Sequence, residues 1–588
     1  MALTKVSYSM ITGAPTSVYD FMSAADIAAV QAGTLADASS FIQAAVDSID
    51  KTIGGELFIG PGLWKIGTGI NILGHSNLTI CGAGQGTTTL VGTIGVMVQP
   101  PMIGVSTTTW GILSIDALAS DSAAAANILV QDLTSHLIGG TPGTYAQDVA
   151  NGTYYIKNIY FGWTDQIQFN RVTIEGSRWE ALNHEGPIGK STLNVKVNDC
   201  TFNNIQHNGF NLNDAGSRGL ILTDNYFFNC AFAVQVVGHG MVIANNVVDS
   251  CQQGFLVAEA TYPGNGSAEQ ESIIVSNNVI TRLGINAITS VNVFGFSINA
   301  GDSQFTDGSV DNGIFISNNI VHNSVKTATN NGPLTAFELN GGNLKVIGNQ
   351  VTGLKKLGGA GDCVAYSMSS GVDNGAVKAQ YYFSNNAVDQ LLNTTPAFGY
   401  VWSFGIQIGG KTGFDYYLND NVITGVTDGF ALYVTPVSGT PNVYLSGDIL
   451  NGYIYYPSPG TWGLVGGTNY LNDGGYLNNT PLFGASTGTI TTPTSRSVIL
   501  GTLTVNSATP SIVGFNVWTT ANTTPTTITN FTGGVTGQTI TLLFTDANTT
   551  LSDGANLKLS GGFTSTADDT MTLFYNGTAW FEMSRSVN

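Results

Sequence analysis

Short apolar strands separated by polar pairs recur along most of the chain. From about residue 155, an apolar strand is followed by a pair of Asn or Asp residues and then by a second apolar strand. The last residues of the nine pairs are Asp199, Asn225, Asn246, Asn278, Asn319, Gln350, Asn386, Asn421 and Asp448. The shortest step, from Asn225 to Asn246, is 21 residues, and the longest, from Asn278 to Asn319, is 41.

A repeat of this length predicts a solenoid. Twenty-one residues accommodate one coil of three short strands and three turns, and the longer steps are coils that carry inserted loops. Asn tolerates the left-handed backbone conformation of a tight bend and can form hydrogen bonds along a stack. We therefore predict an all-β protein whose residues 53–457 form a right-handed parallel β-helix, with one Asn corner in each coil.

The two ends of the chain have other patterns. Residues 23–51 show helical spacing, which predicts that residues 1–52 form an N-terminal attachment peptide and a helix capping the open end of the solenoid. The stretch 458–494 is rich in Gly, Asn and Thr and is interpreted as a linker. Short alternating strands resume after it, so residues 495–588 are predicted to form a small antiparallel, sandwich-like β domain.

The net negative charge of the chain disfavours some classes of binding partner. The 588 residues include only 10% charged residues and carry a net charge of -19. Such a surface repels phosphate backbones and anionic lipid, which disfavours nucleic-acid and membrane partners. The first thirty residues show no secretory signal pattern, so we expect synthesis in a cytoplasm.

The five cysteines match no zinc or redox spacing. Cys230 and Cys251 each follow a repeat anchor by five residues, and the same offset gives Leu283, Leu391 and Val426. This column is apolar, and we therefore predict that both thiols are buried and reduced.

Several segments resemble a known family. Residues 1–11 (MALTKVSYSMI), the Gly-Gly and Pro-Gly-Leu-Trp motifs in 54–64 (GGELFIGPGLW) and the tail segments 537–544 (GQTITLLF) and 581–586 (FEMSRS) are similar to phage tailspike depolymerases with a pectate-lyase-like β-helix. The resemblance implies a homotrimer in the phage virion, made in the host cytoplasm and attached to the tail or baseplate through its N-terminus or an adapter. It also implies action on a bacterial capsule, O-antigen or exopolysaccharide, without a cofactor.

Aligning the third strand of each coil predicts a polar column. The triplets 179–181, 210–212, 234–236, 337–339 and 406–408 each have a middle residue that points outward by strand alternation. This places Asn211, Gln235, Glu338 and Gln407 on one face, a platform for a sugar chain. With loop and strand-end residues added, the candidate substrate-binding set is Trp179, His184, Asn211, Gln235, Tyr262 and Glu338.

Just beyond this strand lies a row of acids. Asp214 and Glu259 fall at the same offset two coils apart, roughly 10 Å along the axis, and Glu185 and His239 lie near the same edge. Glycoside hydrolysis needs two carboxyl groups, about 5 Å apart for retention and 6.5–9.5 Å for inversion. Glu185, Asp214, Glu259 and His239 are therefore the candidate catalytic residues of an endo-glycosidase. No metal site is predicted.

Two other functions fit the same pattern. A polysaccharide lyase would need a base and a cation to neutralise a uronate, and cations are scarce near the row. A non-catalytic receptor-binding fibre would hold glycan on the polar column without cleaving it.

Overall fold

The computed structural model describes the residue ranges 14–99, 109–118, 120–139, 155–184, 191–259, 273–284, 292–299, 314–326, 332–340, 344–357, 361–369, 379–393, 403–411, 414–426, 429–438, 441–446, 448–451, 453–455, 462–464, 470–472, 500–513 and 515–588. Within these ranges the chain divides into two compact units, a parallel β-helix and a C-terminal domain. Each is described by itself.

The coils of the first unit are built on three strand positions, and neighbouring coils pair in parallel throughout the described residues. The third strands form one sheet, called here the long-strand sheet: Ile70–Leu73, Trp110–Asp116, Ile156–Phe161, Leu182–His184, Asn208–Arg218, Phe232–His239, Gln253–Glu259, Val293–Asn299, Leu334–Asn340, Cys363–Ser369, Ser403–Lys411, Gly429–Ser438 and Tyr453–Tyr455. The predicted all-β parallel β-helix is thus confirmed.

The first and second strands of the coils lie on either side of the Asn corner. First strands are Gly55–Ile59, Leu78–Gly82, Lys196–Asn198, Ile221–Thr223, Met241–Ala244, Ile273–Ser276, Ile314–Ser317, Leu344–Ile347, Ala379–Ser384, Phe414–Asn419, Asn442–Ser446 and Trp462–Leu464. Second strands are Gly62–Ile66, Thr88–Thr93, Thr201–Asn203, Tyr226–Phe228, Val247–Asp249, Val279–Thr281, Ile320–His322 with Val325–Lys326, Gln350–Lys356, Ala387–Asn393, Val422–Ile423, Ile449–Asn451 and Tyr470–Asn472. Ala125–Ile138 and Thr164–Glu175 each run through both positions.

The two residues of each polar pair have different structural roles in the corner. The first has a left-handed backbone, as Asn245 (φ 58°) and Asn277 (φ 56°) do. The second is buried, and its side-chain oxygen accepts from the preceding coil: the backbone N–H and the amide of Asn246 both donate to Oδ1 of Asn278, at 3.0 and 2.9 Å. Side-chain hydrogen bonds therefore continue the strand pairing through the bend.

This ladder corrects two predicted anchors by one residue. Gly348 has the left-handed backbone in its coil, so Asn349 and not Gln350 joins the ladder. Asp199 itself is left-handed, and the ladder position falls on Cys200, whose N–H donates to Asn225 Oδ1 at 3.0 Å. The members are Asn225, Asn246, Asn278, Asn319, Asn349, Asn386, Asn421 and Asp448.

The cysteine column lies where its spacing predicts. Cys230 and Cys251 are buried and free on neighbouring coils, and the Cys230 N–H points to Cys251 Sγ at 3.3 Å. Leu283 and Leu391 are buried as well. Burial raises the pKa of the Cys230 thiol well above its usual range, which keeps the thiol protonated and inert.

Inward residues of the long-strand sheet fill the core with a stack of rings. Phe255, Phe296, Phe337 and Tyr366 follow one another with centroids 5.2, 4.8 and 4.9 Å apart and nearly parallel planes. The rung spacing sets these distances, since identical inward positions repeat every ~4.8 Å. The Tyr366 hydroxyl is buried here without a hydrogen-bond partner.

The corner that begins each long strand admits only small residues. Ala233, Gly254, Gly295 and Ala336 occupy it on four successive coils. A Cβ at Gly254 would lie 2.1 Å from the backbone oxygen of Gly295, closer than any real contact. The chain thus bends into the long strand with its backbone almost touching the next coil.

The N-terminal end is capped by two helices rather than one continuous helix. They span Ala24–Gln31 and Ser39–Asp47, with a 3-10 turn at Val18–Phe21 before them. The break follows Gly33, whose left-handed backbone (φ 68°) ends the first helix. In the second, Gln43 holds the first coil, donating to Asn71 O at 3.0 Å and accepting from Asn71 N at 2.9 Å.

The C-terminal unit is all-β with its own core, which includes Trp518, Phe544 and Trp580. Its strands are Leu500–Thr502, Val517–Thr519, Thr526–Ile528, Thr539–Leu543, Thr549–Leu551, Leu557–Lys558, Phe563–Thr564, Thr570–Tyr575 and Trp580–Ser586.

The predicted antiparallel arrangement holds for only part of this unit: among its described strand pairs, three are antiparallel and four are parallel. Leu500–Thr502, Val517–Thr519 and Thr539–Leu543 pair in parallel, because the chain between them completes a coil before returning. Antiparallel pairing is enforced where the connection is a short turn, as between Thr570–Tyr575 and Trp580–Ser586. The pairing is therefore mixed.

Within the described residues, no helix has the length and hydropathy needed to cross a bilayer.

Candidate functional site

One outward column of the long-strand sheet is largely polar and continuous. Strand register aligns the residues Tyr160, Asn183, Asn211, Gln235, Leu256, Ser297, Glu338, Ser367, Gln407 and Tyr433. The alternation-based prediction for Asn211, Gln235, Glu338 and Gln407 therefore holds. Asn211 Nδ2 donates to Asn183 Oδ1 at 2.7 Å, so neighbouring rungs are linked along the column.

The alignment of Trp179 was wrong by three residues. Register places Leu182, not Trp179, beside Phe210, and His184 beside Leu212. A period-two pattern alone cannot distinguish these alternatives where the strand is only three residues long.

His184 consequently points into the core. It is fully buried, its ring lies 5.3 Å from Phe161, and Nδ1 is 3.0 Å from both Phe161 O and Thr192 Oγ1. His184 therefore belongs to the core side of this strand and not to the outward polar column, and its predicted role in substrate binding stays untested.

A buried ion pair lies at one edge of the face. Glu180 forms a salt bridge with the buried Lys157, and His207 Nδ1 lies 3.4 Å from its other oxygen. Burial would raise the pKa of Glu180, but the Lys157 ammonium and the His207 contact outweigh it and lower the pKa to about 2. This carboxylate is ionised at any physiological pH. The half-buried Trp179 ring packs 5.1 Å from His207.

Sequence reasoning missed this pair. Lys157 and Glu180 are 23 residues apart, on neighbouring coils. The available signal was a lysine inside the otherwise apolar strand Ile156–Phe161, since a buried lysine requires a partner.

Three amide oxygens on this face are buried without a hydrogen-bond partner: Asn208 Oδ1, Asn211 Oδ1 and Gln253 Oε1. Asn208 lies on the same face as the column because its Nδ2 donates to Gln235 Oε1 at 3.0 Å. Register then carries the position of Asn208 through Phe232 to Gln253. An unmade hydrogen bond at a buried acceptor costs ~1–3 kcal/mol, so these oxygens are unsatisfied acceptors on this face.

The described residues include only some of the predicted site residues. Glu185 and Tyr262 lie outside the described residues. Asp214 and Glu259 belong to described strands, but their side chains lie outside the described part. Asp214 follows Asn213, which pairs with Val237, and Glu259 pairs with the next residue, Gly238.

The two acids therefore lie on strands two rungs apart, roughly 10 Å along the axis. Strand pairing shifts register between Asn213 and Arg218, so the two acids do not hold the same register position. On the intervening rung, Gly238 lies beside Ser217 of the preceding coil, since a Cβ added to it would be 2.5 Å from the Ser217 backbone oxygen. His239 follows this glycine, is partly exposed and pairs with Arg218 on the preceding coil.

Glu338 lies farther along the column with serines on both neighbouring rungs, Ser297 and Ser367. Within the described ranges, no group of three or more His, Cys, Asp or Glu residues is arranged to hold a metal ion.

The fold and this face define a parallel β-helix protein with a long polar outer surface. No protein-family model matches the sequence, and no curated protein matches it.

Several solved structures are similar to the chain at low sequence identity. The tailspike of Escherichia coli bacteriophage HK620 in complex with a pentasaccharide is 15% identical, covering 77% of this chain and 76% of that one with a TM-score of 0.46. The Acinetobacter phage vb_AbaP_AS12 gp42 tailspike is 10% identical, with 94% and 78% covered and a TM-score of 0.35. The Yersinia enterocolitica family 28 exopolygalacturonase is 12% identical, with 79% of each chain covered and a TM-score of 0.38.

Proposed function

We propose that the protein is a phage tailspike depolymerase that binds a bacterial surface polysaccharide along the outward face of the long-strand sheet and cleaves it as an endo-glycosidase. The observation that carries the proposal is the set of buried, unpartnered amide oxygens of Asn208, Asn211 and Gln253. They belong to a face whose polar side chains recur with every rung.

A linear polysaccharide matches this face in chemistry and in period. It presents hydroxyl donors at regular intervals along one direction, and the coils present acceptors at regular intervals of ~4.8 Å along the shaft. The amide nitrogens of Asn208 and Asn211 are already engaged with Gln235 and Asn183, so their oxygens are held in place before a ligand arrives. Such preorganisation lowers the entropic cost of binding.

The Glu180 cluster supports one edge of the proposed groove. Its salt bridge with Lys157 and its contact with His207 position the ring of Trp179, which remains partly exposed. An indole at the end of a polar groove provides an apolar face on which a pyranose ring can stack.

Cleavage is assigned to the acid row, with Asp214 and Glu259 as the pair. One carboxyl group donates its proton to the glycosidic oxygen as that bond breaks. The other carboxylate removes a proton from water, whose oxygen forms the new bond to the anomeric carbon. Backbones two rungs apart favour this single displacement, because it needs ~6.5–9.5 Å between the carboxyl groups to admit the water. Glu185 and His239 are retained as additional candidates at the same edge.

A lyase mechanism is less well supported. It requires a cation to neutralise the uronate beside the abstracted proton, and Lys157, the buried lysine of this face, is already neutralised by Glu180. The resemblance of the sequence to tailspikes further supports a homotrimer in the virion tail, attached through its N-terminal segment.

The test is digestion of a panel of purified capsule, O-antigen and exopolysaccharide preparations. A hydrolase releases new reducing ends without ultraviolet absorbance, whereas a lyase adds the absorbance of a C4–C5 double bond. Binding without either product would identify a receptor-binding fibre and reject the enzymatic proposal. Failure to bind any member of a panel covering the host's own polysaccharides would reject the glycan face.

A further inference from the structure

Two exposed strips flank the Asn corner on opposite sides. The first strip is Ile221, Val242, Ile274, Phe315, Lys345, Tyr382, Tyr417 and Tyr444, aligned by register on successive first strands. The second is Tyr226, Val247, Val279, Ile320, Gln350, Ala387 and Val422 on the second strands. Together with the corner between them, they are called here the Asn-corner ridge.

The two strips are mostly apolar although they face outward, with Lys345 and Gln350 as their polar members. On most coils an exposed Asn or Asp residue occupies the corner between them. Ile221, Tyr226, Tyr382 and Val422 are 38–41% exposed, and the other members are partly exposed. Isolated exposed apolar residues are ordinary, but a contiguous row over many rungs marks an interaction surface. Eight rungs with seven spacings of ~4.8 Å give the first strip a length of about 34 Å.

The number of residues that separate the two strips is the same in every coil of the ridge. The remainder of each coil varies in length. Members of the two strips on one coil are always five residues apart, as in Val242 and Val247 or Tyr417 and Val422. The coils nevertheless differ in length by up to 20 residues, since the steps range from 21 to 41. All insertions therefore fall elsewhere, and no loop interrupts this corner.

Charge is sparse on the central coils of the ridge, whereas the exposed corner acids Asp224 and Asp420 lie on its outer coils. Among its described positions from Val242 to Ala387, including the corner residues, Lys345 is the one charged side chain, and its ammonium lies 4.8 Å over the ring of Phe315. The chain as a whole carries a net charge of -19. Identical copies repel one another over most of their surfaces, and an uncharged strip is where that repulsion is weakest.

We propose that the Asn-corner ridge packs against a second copy of this chain, with the first strip of one copy against the second strip of the next. The two strips differ and lie on opposite flanks of one corner, which is the arrangement that a cyclic, head-to-tail interface needs. A parallel copy matches the ~4.8 Å repeat on every rung, whereas a globular partner could not. The number of copies, three, rests on the proposed function. The choice of packing surface does not.

Charge insertion tests the surface. Val279→Glu combined with Ile320→Glu places two carboxylates per copy in the second strip, and we expect the oligomer measured by light scattering to dissociate while the circular dichroism remains that of β structure. The control is Leu357→Glu, which alters a more exposed apolar residue (43%) outside the ridge and leaves the mass unchanged. A monomeric wild-type protein, or an oligomer that survives the double substitution, would overturn the proposal.

Cross-linking tests the arrangement. With Val242→Cys and Val247→Cys in one chain, oxidation should yield covalent oligomers up to the full ring, because each contact joins one strip to the other. Neither single variant should cross-link beyond the wild-type level. Cross-linking by a single variant would show that a strip packs on its own counterpart, contrary to the proposed contact. Both results are independent of polysaccharide cleavage, so they succeed or fail separately from the proposed enzyme activity.

Discussion

Asn421 donates its backbone N–H and its side-chain amide to the same oxygen of Asp448, at 3.0 and 2.8 Å, and so ends the ladder on a carboxylate. Burial raises the pKa of Asp448 to about 6, although the hydrogen bonds from Asn421 and Ser446 oppose that shift. In the unfolded chain the pKa of an aspartate is about 3.9. The folded state therefore binds a proton between these two values.

Stability should consequently fall as the pH rises from about 4 through 6. The folded protein is favoured when Asp448 is protonated, and ionisation removes about 2–3 kcal/mol from the free energy of unfolding. Asp448→Asn should flatten this dependence, as measured by the melting temperature across that range. Asp224→Asn, at an exposed corner of a distant coil, serves as the control. Equal slopes for wild type and Asp448→Asn would contradict the assignment.

Tyr366→Phe should stabilise the shaft. It removes a buried hydroxyl without a hydrogen-bond partner and preserves the ring stack on Phe337, so we expect a gain of about 1–2 kcal/mol. The reverse change, Phe337→Tyr, should destabilise by a similar amount. Denaturant unfolding of both variants is the measurement. A loss of stability in Tyr366→Phe would indicate that the hydroxyl has a partner.

Gly254→Ala should destabilise the protein by about 1–3 kcal/mol, because its new Cβ meets the backbone oxygen of Gly295 and the coils must separate. Gly554→Ala is the matched control, since its Cβ has nothing nearer than Ser552 O at 4.0 Å. Thermal unfolding distinguishes the two. Equal melting temperatures for both variants would mean that this corner is looser than described.

Glu180→Gln should cost about 3–5 kcal/mol, because it leaves the buried Lys157 ammonium without its counter-charge. Adding Lys157→Met should recover most of that loss. The lowered pKa of Glu180, about 2, also means that its contribution is complete above the unfolded value of about 4.3 and is lost as the pH falls towards 2. A double variant as unstable as the single one would exclude a simple charge pair.

Asp214→Asn and Glu259→Gln should each lower turnover by roughly 10²–10⁴-fold at saturating polysaccharide while leaving binding largely intact. Asp224→Asn, an exposed corner acid outside the proposed groove, should retain full activity. Reducing-end release and a separate binding assay give the two readouts. Near wild-type turnover in both groove variants would transfer the assignment to Glu185 or Glu338.

The repeated features of this protein could be predicted from sequence because each copy constrains the others. Nine polar pairs identified the coil, and the offset from them located Cys230 and Cys251. Errors arose where repetition gave no help. Trp179 was misaligned in a three-residue strand, and the anchor at Gln350 was misplaced because Gly348 took the left-handed position usually held by Asn.

The candidate site was less predictable for a physical reason. Side chains on neighbouring coils meet across 21 to 41 residues of sequence, so a contact such as Glu180 with Lys157 leaves no local pattern. Likewise, an orphaned amide oxygen depends on three-dimensional surroundings, and Asn208 and Gln253 look like ordinary polar residues in the sequence.

The constant five-residue spacing across the Asn corner has a consequence for evolution and engineering. Pairing between successive coils is set at that corner and in the core, so the register of the shaft is independent of how long the loops at the other two corners become. New loops can therefore be exchanged there without refolding the scaffold. Under the proposed function, loops that recognise a new surface glycan can be exchanged while the shaft that carries them stays the same.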